Sequence, residues 1–496
     1  MQISSLAQAM NFINDIGSLS ETMDDLTRQL ASGKISETYS GLGSNASLVL
    51  SMRSDISEMS AYQDNISYTQ IRVSTMVDVY SRVDEMGRSL QSDLLGAGYE
   101  LLSDGRTLEQ QMAGANFDEL VALMNTELEG YLFSGEATST APVANSEEML
   151  NGTVTQDGVS QYIAQYQEAN LGASGLGRVT VNTTTDTVTL AEDADPSEFG
   201  FKLTGSSTDS AAVTLTDNGS SPPSYDIQFG APQITSGELI ELEFTLPDGT
   251  TETISLEATY SDPAAEGQFT IGADADATAA NFDTALTAAL TEEAATSLTA
   301  AAAIQGTDAY FDYTVNDVPL RVDGPPYASA TGTVEATEND TVLWYTGGDP
   351  SSADNTTIVQ IDDGTYVSYG SSAYEEAMRD MFKSTAVMAG TTFSEVDPYA
   401  EEAYNALSSR VASTLTFESS TSPADLATEL GLKSSRLENT SARHANSITL
   451  AENLIGDAEN IDEYEVAVML TEVQTSLEAS YSVTAMMQDM SLVNYI

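Results

Sequence analysis

Apolar residues recur at steps of three and four near both ends of this chain, and a helix carrying such a stripe is not stable until something covers it. Near the start, Ile3, Leu6, Met10, Ile13, Ile16, Leu19, Met23, Leu26 and Leu30 follow that spacing. It is the pattern of a long amphipathic or coiled-coil helix. Near the other end Val466, Leu470, Val473, Leu477 and Tyr481 form a similar stripe, and the apolar character runs on through Leu492 to Ile496. Most chains fray into polar residues at their ends. Here each end needs a surface to bury it.

The stretches next to these stripes also read as helix. After breaks at Ser32-Gly33 and at Ser40-Gly41-Leu42-Gly43, helical periodicity resumes over about 46–96, and a third helix spans about 108–128, ending at Gly130. On the far side, helices are expected at about 373–388, before Gly390, and at about 398–415. From about 422 onward the chain reads as helix, relieved only at Gly431 and Gly456.

Between about 140 and 372 the texture changes to Thr, Ser, Gly and Asp with period-two alternation. Leu242, Phe244 and Leu246 alternate with polar residues, Pro247-Asp248-Gly249 turns the chain, and Ile254 and Leu256 alternate back. That is a hairpin. Strands are also expected from Arg178 and from Thr187, and an Ala-rich helix at about 279–303. The fold class is therefore α+β and multidomain, with a long α-helical coiled-coil scaffold formed by both termini and a β-rich central insertion.

Charge narrows the partners. Against 76 Asp and Glu there are 16 Lys and Arg, a formal net charge of −60 over 496 residues. Such a surface repels nucleic-acid phosphates and anionic lipid alike, so neither nucleic acid nor membrane is expected as a partner. There is no cysteine, which suits the cytoplasm or a protein exported without oxidative folding. The opening residues lack the basic start and apolar run of a secretory signal, so any export is expected by a route without a cleaved signal.

Motifs for catalysis are missing. The only histidine, His444, lies in a helical run and is expected at a solvated position. With one His and no Cys, zinc is ruled out. No P-loop, GxGxxG unit or HExxH occurs. The clusters Glu192-Asp193-Ala194-Asp195 and Asp274-Ala275-Asp276 do not fit an EF-hand loop. No enzyme activity and no cofactor are expected.

Several segments resemble the flagellin superfamily, and within it the hook–filament junction proteins. Leu30-Ala31-Ser32-Gly33-Lys34-Ile35 resembles the family's segment after its first helix, and Met52-Arg53-Ser54 with Tyr62-Gln63-Asp64-Asn65-Ile66 resembles its next helix. Gly130-Tyr131-Leu132-Phe133-Ser134-Gly135, with Thr138 and Pro142, is similar to a junction-protein segment, and so are Leu477-Glu478-Ala479-Ser480-Tyr481 and Ser491-Leu492-Val493-Asn494-Tyr495-Ile496. The resemblance covers about 1–140 and 373–496. It departs from the family at Ser40-Gly41-Leu42-Gly43-Ser44, where an acidic pair is usual.

The resemblance implies a structural subunit of the bacterial flagellum, outside the cell. Residues 1–40 with 455–496 would form a terminal coiled-coil core, 41–139 with 373–454 a helical shaft, and 140–372 an acidic outer insertion of one or two lobes. The assembly interface would comprise Ile3, Leu6, Met10, Ile13, Leu26, Leu30, Val466, Leu470, Val473, Leu477, Tyr481, Leu492 and Ile496. Expected partners are further copies of the chain in a tubular assembly, a neighbouring hook-associated protein, flagellin, and the flagellar export chaperone and type III apparatus. A filament-forming flagellin is the alternative within the family. A secreted β-rich adhesin and a displayed glycan hydrolase are the alternatives outside it.

Overall fold

A computed structural model describes residues 2–96, 98–193, 197–313, 318–349, 357–418 and 420–493, without the side chains of 2–6, 8–9 and 488–493. The fold is α+β, with long terminal helices and a β-rich centre. Its helices are α1 (Gln2–Ser32), α2 (Ala46–Gly96), α3 (Leu108–Met124), α4 (Ser146–Asn151), α5 (Val159–Leu171), α6 (Ala275–Glu293), α7 (Thr299–Phe311), α8 (Glu376–Gly390), α9 (Ala400–Thr414), α10 (Pro423–Glu459) and α11 (Glu463–Val493). A π-helical turn, Ala294–Leu298, joins α6 to α7. The chain divides into two compact units. One comprises 1–70, 359–367 and 435–496, and the other 71–358 and 368–434.

In the first unit α1 and α11 lie against each other, and the starts of α2 and the end of α10 pack beside their junction, where Leu42, Val49 and Ala458 form a small apolar cluster. The two-stranded hairpin β11 (Ile358–Asp362) and β12 (Thr365–Ser368) adds its residues 359–367 to this unit. Gly431 and Gly456 do not interrupt α10. The break falls instead at Asn460–Asp462, where Asp462 accepts from the backbone N–H groups of Tyr464 and Glu465 and so starts α11.

In the second unit the β-rich part is a two-sheet lobe. One sheet has the order β1-β2-β5-β4 and is antiparallel; the other has the order β3-β6-β7-β8, with only β7 and β8 parallel. The strands are β1 (Val179–Thr184), β2 (Thr187–Glu192), β3 (Lys202–Thr208), β4 (Val213–Asp217), β5 (Ser224–Phe229), β6 (Leu239–Thr245), β7 (Thr251–Thr259) and β8 (Gln268–Thr270). Two short strands, β9 (Leu320–Val322) and β10 (Thr333–Glu335), pair outside these sheets. The hairpin read around Pro247-Asp248-Gly249 is β6–β7, and the strands expected from Arg178 and Thr187 are β1, which begins one residue later, and β2.

Alternation along these strands puts Val188, Leu190, Ile240, Leu242, Phe244, Ile254 and Leu256 into one core with Phe282, Leu286 and Leu290 of α6. The middle of the chain also holds two helices that the alternation did not suggest, α4 and α5. Asn145 caps α4 by accepting from the N–H groups of Glu147 and Glu148. The start of α5 is marked by Gln161, whose side chain accepts from the Gly158 N–H.

Phe282 anchors the lobe. It is fully buried, edge-on to Phe269 at 5.1 Å and tilted against Phe229 at 5.4 Å. Phe282→Ala is expected to lower stability by about 3–5 kcal/mol, the cost of deleting a buried ring and leaving its cavity. Urea denaturation checks this, and a loss below about 1 kcal/mol would show that the ring is not central to the lobe's packing.

Candidate assembly interface

The helix pair α1–α11 is built on a heptad seam. Phe12, Ile16, Leu19, Met23 and Leu26 step by four, three, four and three along α1; Leu26 is buried and the others are half-buried. On α11, Val466, Leu470, Val473 and Leu477 step by four, three and four; Val466 and Leu477 are buried, and Leu470 and Val473 half-buried. The seam is the knobs-into-holes pattern of two helices under-wound to a repeat of seven. Residues after α1 and before α11 are hydrogen-bonded: the Ile35 N–H donates to the Glu459 carbonyl at 2.7 Å, and the Ile461 N–H to the Gly33 carbonyl at 3.1 Å. From that junction the two helices run side by side in opposite directions.

The apolar row read from the sequence of α1 thus separates into two. Met10 and Ile13 keep the same spacing but sit one residue out of phase with the row through Phe12 and Ile16, so they occupy a neighbouring flank. Met10 is 61% exposed and Ile13 65%. Leu30, at the edge of the seam, is also exposed. On α11, Tyr481, Val483, Met486 and Met487 are exposed in the same way. Because the helices are antiparallel, Met10 and Ile13 lie toward the same end of the pair as these groups of α11, and Leu30 toward the junction. The side chains of Ile3, Leu6 and Leu492 lie outside the description, and Ile496 lies outside the described residues.

Electrostatics lock the other end. Glu459 is nearly buried and takes Arg53 at 2.7 Å and Lys34 at 3.2 Å, while Arg53 lies over the Tyr39 ring, 5.7 Å from its centroid. One carboxylate therefore ties α2 and the turn after α1 to the end of α10. The same turn borders a polar groove of about 330 Å³ lined by Asp25, Arg28, Gln29, Ser32, Lys34 and Glu37. Among the described residues there is no group of three or more His, Asp or Glu placed to hold a metal, and no helix long and apolar enough to cross a membrane.

His444 is buried, not solvated as its helical surroundings suggested. Its Nε2 lies 2.7 Å from the Ile361 carbonyl, and its ring stacks on Tyr62 at 5.7 Å. The covering element is the β11–β12 hairpin, which returns to α10 from a distant point in the sequence, and Arg443 pairs with Asp362 on the same hairpin. Tyr62 donates to Glu58 at 2.7 Å, and that carboxylate pushes the phenol pKa up to about 12. The histidine is thus a clamp for the hairpin.

In the second unit, the segment Gly130–Gly135 joins the two sequence halves of its helical part. Gly130 has φ +116°, and a Cβ there would lie 3.0 Å from the Thr138 carbonyl oxygen, so only glycine fits the loop closed by the Tyr131 N–H to Thr138 carbonyl bond. Phe133 is fully buried edge-on to Tyr80 at 5.5 Å, and its carbonyl accepts from the Ala373 N–H at 2.8 Å. Arg72 donates to the Leu128 carbonyl just before the loop.

Glu459→Gln keeps the shape of the junction but removes its charge. We expect a loss of about 1–2 kcal/mol, modest because Lys34 and Arg53 are partly exposed and screened. Amide exchange at Ile35 and Ile461 is the measurement; unchanged protection would show that the backbone bonds hold without the ion pairs.

Residues 418–496 match the family model described as the bacterial flagellin C-terminal helical region. No curated protein matches the chain. The matched segment holds all of α10 and α11, and so supplies one side of the seam whose other side is α1. Over that segment, which includes one of the two helices of the seam, the chain is similar to the C-terminal helical region of bacterial flagellins.

Proposed function

We propose that the chain is a structural subunit of the bacterial flagellum that joins hook to filament, its terminal helices stacking with those of neighbouring copies in a tubular assembly. The family match over 418–496 supports a flagellar structural subunit. The observation that carries the reading is the uncovered apolar flank of the helix pair, with Met10, Ile13, Tyr481 and Met486 all more than half exposed. An apolar flank along a paired helix is an unfinished core, and further copies of the same pair are the natural cover. In this scheme 1–40 with 455–496 form the inner core, 41–139 with 373–454 the shaft, and 140–372 the acidic outer part.

The preference for the junction role over a filament flagellin rests on the Gly130–Gly135 segment and on charge. A net charge of −60 per copy opposes stacking thousands of subunits more than it opposes a short ring. A neighbouring hook-associated protein, flagellin, an export chaperone and the type III apparatus are the partners this role implies, in an extracellular setting. Neither a catalytic step nor a cofactor enters it.

Two experiments test the proposal. Leu26→Asp or Leu477→Asp places a carboxylate in the seam, at a cost of several kcal/mol for an unpaired buried charge. Assembly and motility should be lost while circular dichroism of the two-sheet lobe is retained; normal motility would refute the packing scheme. Immunogold labelling of intact flagella separates the two roles. A single band just beyond the hook is expected, and gold along the whole filament would identify a flagellin instead.

A further inference from the structure

Where the two-sheet lobe meets α9, one cation faces several carboxylates. Arg410 of α9 donates through Nε to Asp248 in the β6–β7 turn at 2.9 Å, and a second guanidinium nitrogen lies 3.6 Å from Glu252 of β7. The pair is well shielded, with side-chain exposures of 16% for Arg410 and 7% for Asp248. A third donor of Arg410 is taken by the Ala406 carbonyl on its own helix, at 3.2 Å, which fixes the fork's direction.

The opposing surface is the end of α6. Glu293 sits there, and its Oε2 is a buried atom with no hydrogen-bond partner. Burial pushes its pKa up and Glu252 adds to the shift, while a hydrogen bond with Ser297 and the Arg410 charge oppose it. Next to it, Glu292 is raised by burial and by Glu266, Glu293 and Glu402. The π-helical turn begins at the following residue and packs against α9, while its fully buried Ala294 and Leu298 belong to the lobe's core. An inserted residue of this kind widens one helical turn and re-aims the side chains before it.

Asp248, Glu252 and Glu293 together outnumber Arg410 by two charges, before Glu266, Glu292 and Glu402 are considered. A matched ion pair weakens when salt screens it. A joint with surplus carboxylates behaves in the opposite sense, because screening removes more repulsion than attraction. The direct Asp248 contact, being the most buried, is screened least.

We propose that Arg410 is a latch docking the two-sheet lobe on α9, and that the surplus of carboxylates around it makes this docking tighten as cation concentration rises. The device sits within one compact unit and does not depend on the flagellar role.

The test is hydrogen exchange on the full chain, comparing the segment 239–259 with strand β2 as an internal reference for the general effect of screening. Between about 0.1 and about 1 M NaCl the Debye length falls from roughly 10 to roughly 3 Å, and exchange in 239–259 should slow several-fold relative to β2. Arg410→Gln should speed exchange there by roughly tenfold at low salt, since the lobe then opens more often. Glu252→Gln and Glu293→Gln each remove repulsion, so each should flatten the salt dependence, whereas Glu335→Gln on exposed β10 should leave it unchanged. If Arg410→Gln does not fold, the two glutamate variants decide alone. Faster exchange in salt for the native chain, or an unaltered salt dependence in both glutamate variants, would overturn the latch.

Discussion

Burial of the seam between α1 and α11 is the interaction on which the first unit depends. Among the described residues neither helix has another packing contact of comparable extent, and an isolated helix of either sequence would be marginal in water. Once the seam closes, the backbone bonds at Ile35 and Ile461 and the two cations on Glu459 fall into place at its base. The seam also determines what remains unsatisfied. Every side chain drawn into it leaves the flank of Met10 and Ile13 outside, so the same repeat that makes the pair also leaves an apolar flank exposed.

The scarcity of positive charge shapes the rest. All four lysines are engaged by carboxylates: Lys34 by Glu459, Lys202 by Glu192, Lys383 by Asp308 and Asp312, and Lys433 by Glu429. Several arginines likewise bridge distant segments, as Arg321 does with Asp157 at 2.8 Å and Asp340 at 3.5 Å. With so many acids, attraction is concentrated at a few long-range ties. The remaining surface is left to counterions. Specific ties of this kind select one arrangement from many that hydrophobic burial alone would allow.

Much of this was legible in the sequence because it is local. The heptad spacing, the β6–β7 turn and the paired strands β1 and β2 follow from neighbours a few residues apart. What was not legible depended on distant contacts. The row from Ile3 to Leu30 looked continuous because steps of three and four do not reveal a change of phase; only the partner helix shows which members face it. His444 looked solvated because nothing near it announces a hairpin arriving at Ile361. α4 and α5 lie in a polar, Thr- and Gly-rich context that masks their periodicity, although Asn145 and Gln161 are capping signals for them. Gly431 and Gly456 looked like breaks, but packing of the long helix overrides their intrinsic cost.

The Lys34–Glu459 tie spans 425 positions of sequence. A polypeptide that emerges from one end first therefore holds its opening helix without a mate until nearly the whole chain has followed. The two-sheet lobe, made of contacts between near neighbours in sequence, has no such wait. Folding order is thereby written into the topology: loop-closure entropy delays the helix pair to the last. The helix pair that carries the exposed apolar flank is consequently the part that stays incomplete longest, its two halves apart until nearly the whole sequence is present.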